Sequence, residues 1–253
     1  MLRNAETCIA RQSGRSIVGG ESVRLLASVL YTLALGLFLS NGVAWGDSVP
    51  VQNASFEDTS TSPLTFPCAG PETCLYNAGP IPGWVFTGAT GLFEPSSAYF
   101  NLPLPDGNIL AYTNAGSISQ TLTGIPLLPN SIYTLSVDVG RRKDVGPLDA
   151  SYSISLDAGS SFSCTTGGPI GNAGSGAFFD QILTCTTGAT VPSDFLEIVL
   201  TGSGRQVDFD NVQLNVVSAP EPSALVLMLT GLGVVGLLFA RSRRNRYLQS
   251  ASS

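Results

Sequence analysis

With no histidine anywhere in its 253 residues, this sequence cannot build a Ser-His-Asp or Cys-His relay. What it offers instead is carboxylates. Between residues 47 and 218 stand fifteen Asp and Glu against four basic side chains, Arg141, Arg142, Lys143 and Arg205, a net charge of −11. Two carboxylates flanking a glycosidic bond can hydrolyse it, but no pair among the fifteen stands out. The glycine-rich TTGGPIGNAGSGAF lacks the Lys-Ser/Thr of a phosphate loop and precedes a strand pattern, not a helix. The expectation is therefore a protein that is not an enzyme. So acidic a segment also excludes nucleic acid as a partner, because phosphate contact takes clustered Lys and Arg. It suits divalent cations.

Binding chemistry is better represented. A sugar ring stacks on an aromatic face while its hydroxyls find polar groups, and Trp84, Phe93, Tyr99, Phe100 and Tyr112 supply rings. Trp84 follows Pro82-Gly83 and is expected to pack as core, since a ring of that size gains most from burial. Tyr99 and Phe100, in the loop-like SSAYFNLPLPDGN, are the expected ligand-facing pair. Arg141-Arg142-Lys143 form the one basic cluster between 47 and 218; it can meet an anionic polysaccharide, but such a run at a hairpin tip is expected to be a solvated loop. Four cysteines, Cys68, Cys74, Cys164 and Cys185, allow three connectivities. Cys68–Cys74 and Cys164–Cys185 are favoured because each pair brackets a Gly/Pro-rich loop. Zinc is disfavoured without His or C-x-x-C.

The elements that must hold these groups are strands. In SIYTLSVDVG, Tyr133, Leu135, Val137 and Val139 share one face; ASYSISLDAG repeats the alternation with Tyr152, Ile154 and Leu156. Further strands are expected at 49–56, 108–113, 117–122, 178–186, 194–200 and 205–217, with long loops at 58–83 and 164–176. No helical period is sustained between 47 and 218. Many short strands punctuated by Gly, Pro, Asn and Asp predict an all-β, antiparallel β-sandwich. The last strand, RQVDFDNVQLNVV, changes phase: Val207 and Phe209 have one parity, Val212, Leu214 and Val216 the other. A bulge near Asp210 or Asn211 resolves this, and leaves an aspartate where the apolar face begins, in need of a partner such as Arg205 or a cation.

The ends have a different character. Residues 1–46 form an N-terminal extension and a secretory signal: Arg24, the apolar run 25–39, then small residues near Ala44 and Gly46. Residues 219–253 begin with Pro220-Glu221-Pro222. The uncharged run 224–240 would make a transmembrane helix of roughly 25 Å at ~1.5 Å per residue. Arg241, Arg243, Arg244 and Arg246 then act as a cytoplasmic stop by the positive-inside rule. This order resembles the PEP-CTERM sorting signal of Gram-negative bacteria. The resemblance implies cleavage by an exosortase, an inner-membrane-anchored precursor, and delivery to the cell surface or extracellular matrix.

The segment 47–218 resembles galactose-binding-like jelly rolls, a form shared by many carbohydrate-binding modules, on its opening VQNASFEDTS, the following GPIPGW and the closing VDFDNVQLNVV. The middle stretch, NILAYTNAGSISQTLTGIPLLPNSIYTLSVDVGRR, is similar to ectodomains that carry this kind of tail. The jelly-roll resemblance implies a structural calcium shared by the first and last strands, with Glu57 and Asp210 as carboxylate ligands and main-chain carbonyls completing the shell. It also implies a non-catalytic module with extracellular polysaccharide as partner. A structural or adhesion protein that binds other proteins is the alternative, and a glycan-acting enzyme the weakest reading.

Overall fold

The computed structural model describes residues 46–69 and 73–218, and isolated helical positions between 228 and 239. The predicted signal, Pro220-Glu221-Pro222 and the four C-terminal arginines lie outside the described residues. Among the described residues no helix is long and apolar enough to cross a membrane.

Among the described residues eleven antiparallel strands follow in chain order: β1 (Asp47–Val49), β2 (Phe66–Pro67), β3 (Leu75–Tyr76), β4 (Val85–Glu94), β5 (Leu110–Pro126), β6 (Ser131–Arg141), β7 (Ala150–Ala158), β8 (Phe162–Pro169), β9 (Ala177–Thr186), β10 (Phe195–Gly204) and β11 (Val207–Ser218). A 3-10 turn, Ile170–Asn172, joins β8 to β9. The all-β expectation holds, and the arrangement fits a jelly-roll sandwich. One layer runs β9–β6–β11–β5–β4–β3–β2 and the other β8–β7–β10–β5–β4.

Two strands serve both layers because both bend at one place. The first part of β5 pairs with β11 through Ala111–Thr113, and the later part pairs with β10 from Gly116 onward. At the joint Ala115 has φ 56° and, opposite it, Gly88 of β4 has φ 72°. A Cβ on Gly88 would lie 2.6 Å from the Ala115 carbonyl oxygen, so only glycine lets the two chains turn this corner together.

The alternation read from the sequence fills the core. Leu135, Val137 and Val139 face Ile154, Leu156, Ile198 and Leu200, all fully buried. Trp84 is buried against Phe56, ring centroids 5.5 Å apart. Both disulfides form as expected, Cys68–Cys74 and Cys164–Cys185. The second joins β8 at one layer's edge to β9 at the other's, so it ties the layers together.

Several boundaries differ from expectation. Residues 108–113 and 117–122 are parts of one strand, because the bend at Ala115 interrupts the pattern without ending the pairing. The expected strand 49–56 pairs only through Asp47–Val49; Asn53 and Phe56 then take positive φ, in turns that drive Phe56 into the core. β4 and β8 were hidden by glycines and threonines, which read as loop.

Candidate functional site

The bulge in β11 sets the site. Its register against β6 slips between Asp210 and Gln213, with Asn211 at φ 49°. Val207 and Phe209 before the slip, and Val212, Leu214 and Val216 after it, therefore all face the main core. Asp208 and Asp210 are sent to the other face, as period-2 geometry requires. That face is covered by a second cluster, Cys74, Phe93, Phe100, Leu104, Leu110 and Tyr112, which includes part of the 95–109 loop.

Over this face lies a cleft of about 330 Å³, lined by Cys68, Ala69, Tyr76, Phe93, Tyr99, Tyr112, Asn114, Arg142 and Gln206. Four rings dominate it. Phe93 and Tyr99 meet edge to face at 5.7 Å, and the Arg142 guanidinium lies over the Tyr99 ring at 4.4 Å. Arg142 is also paired with Asp144 through two bonds of 2.9 Å, and its Nη1 donates to Gln206 Oε1 at 2.6 Å. Gln206 Nε2 in turn donates to Asp208 Oδ1 at 2.5 Å.

Asp208 is the buried end of this chain. It has no exposed surface, and its Oδ2 has no hydrogen-bond partner. Burial pushes its carboxyl up to about 7, opposed by the Gln206 hydrogen bond and the Arg142 charge. Across the ladder its direct partner is Tyr112, so the two side chains leave the sheet on one face. The Tyr112 hydroxyl donates to the Asn77 carbonyl at 2.7 Å, and burial first, then Tyr76 and Asp208, push it up to about 12. Asp208 thus lies behind the aromatic-walled cleft and not in its lining, joined to it by Gln206 and Tyr112, which do line it; a carboxylic acid poised to hold or release a proton near neutrality stands beside a neutral phenol. That pairing suits acid-promoted chemistry on an apolar, flat molecule.

The expected site residues separate. Tyr99 lines the cleft, but Phe100 is fully buried and stacked on Phe178 at 5.0 Å, so its role is packing and not ligand contact. The basic cluster is no solvated tip. Arg142 enters the cleft, and the Lys143 ammonium donates to the Ser97 carbonyl at 2.6 Å. Arg205 is mostly exposed and bonds the Asp144 carbonyl, so it is not the partner expected for the β11 aspartates; Asp208 is met by Gln206 instead.

Glu57 and Asp210 grip one loop. Glu57 Oε1 accepts the Asn108 and Ile109 N–H groups at 2.7 and 2.6 Å, and Asp210 Oδ2 accepts that of Asp106 at 3.0 Å. Burial pushes the Asp210 carboxyl up to about 7 as well. The donor set is all oxygen, which suits a hard cation such as calcium. Among the described residues, however, no three acidic side chains converge on a common point as ligands for one ion. An ion there would need main-chain oxygens to complete its shell.

Sequence reasoning missed Tyr76, Arg142, Gln206 and Asp208 as one site. The one available signal was the phase change in β11, which showed that an aspartate would need a partner without showing which.

A family model described as "HpiC1-like: HpiC1 cyclase" matches residues 47–215. A Stig cyclase, Fisc from Fischerella sp. TAU, was solved with (3Z)-3-(1-methyl-2-pyrrolidinylidene)-3H-indole. It is 27% identical over 70% of this chain and 100% of that one, with a TM-score of 0.55. A cyclase from Fischerella sp. TAU bound to 4-(1H-indol-3-yl)butan-2-one is 27% identical over 69% and 99% of the two chains, with a TM-score of 0.53. The CBM22-1 xylan-binding domain of Paenibacillus barcinonensis Xyn10C matches at 14% identity over 71% of this chain and 100% of that one, with a TM-score of 0.43, too distant to argue from. No curated protein matches the chain. The family match and the cyclase structures overturn the expectation that the protein is not an enzyme.

Proposed function

This chain belongs to the HpiC1-like family of cyclases, and from that premise we propose that it closes a ring in an indole-class substrate, with Asp208 as the proton donor. The observation that carries this is the Asp208 carboxyl: buried, with Oδ2 unpartnered, directly across from Tyr112 of the cleft. Tyr76, Phe93, Tyr99 and Tyr112 offer π-faces to a planar substrate and to positive charge that develops on it. The proton leaves Oδ2 for an unsaturated position on the substrate, which becomes electrophilic. A π-bond of the same molecule attacks to form the ring bond, and the resulting cation gives a proton back to Asp208. No atom is gained or lost. Exclusion of water by the buried floor protects the cation from hydration.

The test is turnover of indole substrates bearing an unsaturated side chain, with product ring formation followed by mass-neutral chromatography shift and NMR. Asp208→Asn should slow it by orders of magnitude with the fold intact. Undiminished ring closure in that variant would remove Asp208 from the reaction.

Delivery is proposed as exported and surface-directed. The reading rests on the apolar run 25–39 and on Pro220-Glu221-Pro222 ahead of 224–240 and the terminal arginines. An exosortase would cut near Pro220–Pro222. Peptide mapping of surface-extracted protein tests this: the mature chain should lack Arg241, Arg243, Arg244 and Arg246, and finding them would leave a plain anchor. Calcium is proposed for the loop that Glu57 and Asp210 already hold.

A further inference from the structure

We propose that Arg142 is a positioning residue for this proton transfer, holding Gln206 so that its amide meets Asp208 nitrogen-first and through one oxygen only. The inference rests on Asp208 being the acid.

The guanidinium carries five N–H donors and no acceptor. Whatever faces it must therefore be an oxygen. Gln206 Oε1 takes that place at 2.6 Å, which turns Nε2 toward Asp208 Oδ1. Asp208 Oδ2 is left without a partner, on the face shared with Tyr112. Were the amide turned over, Oε1 would face Asp208 instead. It would accept the carboxyl O–H itself and hold the proton away from the substrate. The Arg142 side chain thus excludes an arrangement that Gln206 alone permits.

Arg142 is built to stay in place. Asp144 binds its Nε and Nη2 at 2.9 Å each, and the Tyr99 ring lies beneath it. The backbone on either side is pinned too: the Lys143 N–H donates to the Tyr99 carbonyl at 2.9 Å, and the Val145 N–H to the Arg142 carbonyl at 3.2 Å. A lysine has the charge but not the planar fork that can serve Asp144 and Gln206 together.

The Gln206 side-chain amide reports this arrangement directly, by ¹⁵N–¹H NMR of the full chain. In the native protein one Nε2 proton should be protected from exchange by its bond to Asp208. Arg142→Ala should reduce that protection by about tenfold, the equivalent of one charge-assisted hydrogen bond. Millimolar methylguanidinium should restore it by refilling the vacated place. Arg142→Lys, a milder change that keeps the fold if alanine does not, should leave the amide only partly protected. An amide that ignores both substitutions overturns the proposal, as does loss of protection in Arg142→Ala that methylguanidinium cannot reverse while the backbone spectrum stays native. The two readings fail separately: full turnover by Asp208→Asn defeats the acid and leaves the amide result standing, whereas an unaltered amide defeats the positioning role and leaves the acid.

Discussion

Asp208 lies directly opposite Tyr112 in the β5–β11 ladder, and both side chains leave the sheet on the face that carries the cleft. One is a carboxyl pushed up to about 7 and the other a phenol pushed up to about 12, so at neutral pH the pair can carry two protons and no charge. An asparagine at 208 keeps the shape and the Gln206 contact while removing the transferable proton. Asp208→Asn should lower kcat by about 10²–10⁴-fold, the usual contribution of a placed general acid. The thermal melt of the same variant should stay cooperative.

In calcium-free buffer, Asp208 and Asp210 should contribute less to stability as pH rises from acid toward neutral. Both carboxyls shift from the ordinary 3.8 to about 7, chiefly through burial. Between those values the folded chain holds protons that the unfolded chain has released. Their contribution is complete below about 3.8, declines through the window and levels off above about 7. Other carboxylates pull the absolute curve the opposite way at low pH. The difference between wild type and Asp208→Asn, from urea unfolding at several pH values across the window, isolates the effect. A difference that does not change with pH would mean that Asp208 titrates normally.

Much of the scaffold was legible because it depends on local pattern. The alternation of Tyr133 to Val139 and of Tyr152 to Leu156 specified β6 and β7, and the phase change after Phe209 located the bulge within a residue. β4 was not legible: a strand that turns a corner at Gly88 shows a glycine where pattern reading expects a break. The cleft was illegible for a stronger reason. Tyr76, Phe93, Tyr99, Arg142 and Gln206 meet only through pairing between strands distant in sequence. Adjacent residues also diverge, as Tyr99 lines the cleft while Phe100 is buried.

That divergence makes a paired test. Tyr99 packs on Phe93 at the cleft wall and supports Arg142, so Tyr99→Ala should weaken binding of the proposed indole-class substrate by about 2- to 10-fold, the value of one aromatic pair. Phe100→Ala should instead cost about 3–5 kcal/mol of stability, as a truncated core ring does. Calorimetric binding and urea unfolding of the two variants should show opposite profiles.

Cys164–Cys185 closes a separation of 21 residues and joins the two layers, whereas Cys68–Cys74 closes 6 within one loop. The longer closure restrains the unfolded chain more. Replacing the 164–185 pair with alanines should cost about 3 kcal/mol, and replacing 68–74 should cost less. Denaturant midpoints of the two double variants check the order. The 68–74 variant has a second expected effect, since Cys68 lines the cleft: binding of the proposed indole-class substrate should suffer more than stability does.

Glu57 and Asp210 are distant in sequence but fasten one loop between them, which is where the proposed calcium would act. The loop has little freedom of its own: a Cβ on Gly107, at φ 72°, would stand 2.3 Å from Glu57 Oε1. Glu57→Ala frees the Asn108 and Ile109 N–H groups and should cost about 2 kcal/mol even without an ion. If calcium shares the site, a chelator should lower the wild-type melting temperature, and both Glu57→Ala and Asp210→Ala should make it insensitive to the chelator. The two contributions separate because the hydrogen bonds do not depend on the ion. A wild-type melt unmoved by chelator, with Glu57→Ala still destabilised, would assign these carboxylates to the loop alone.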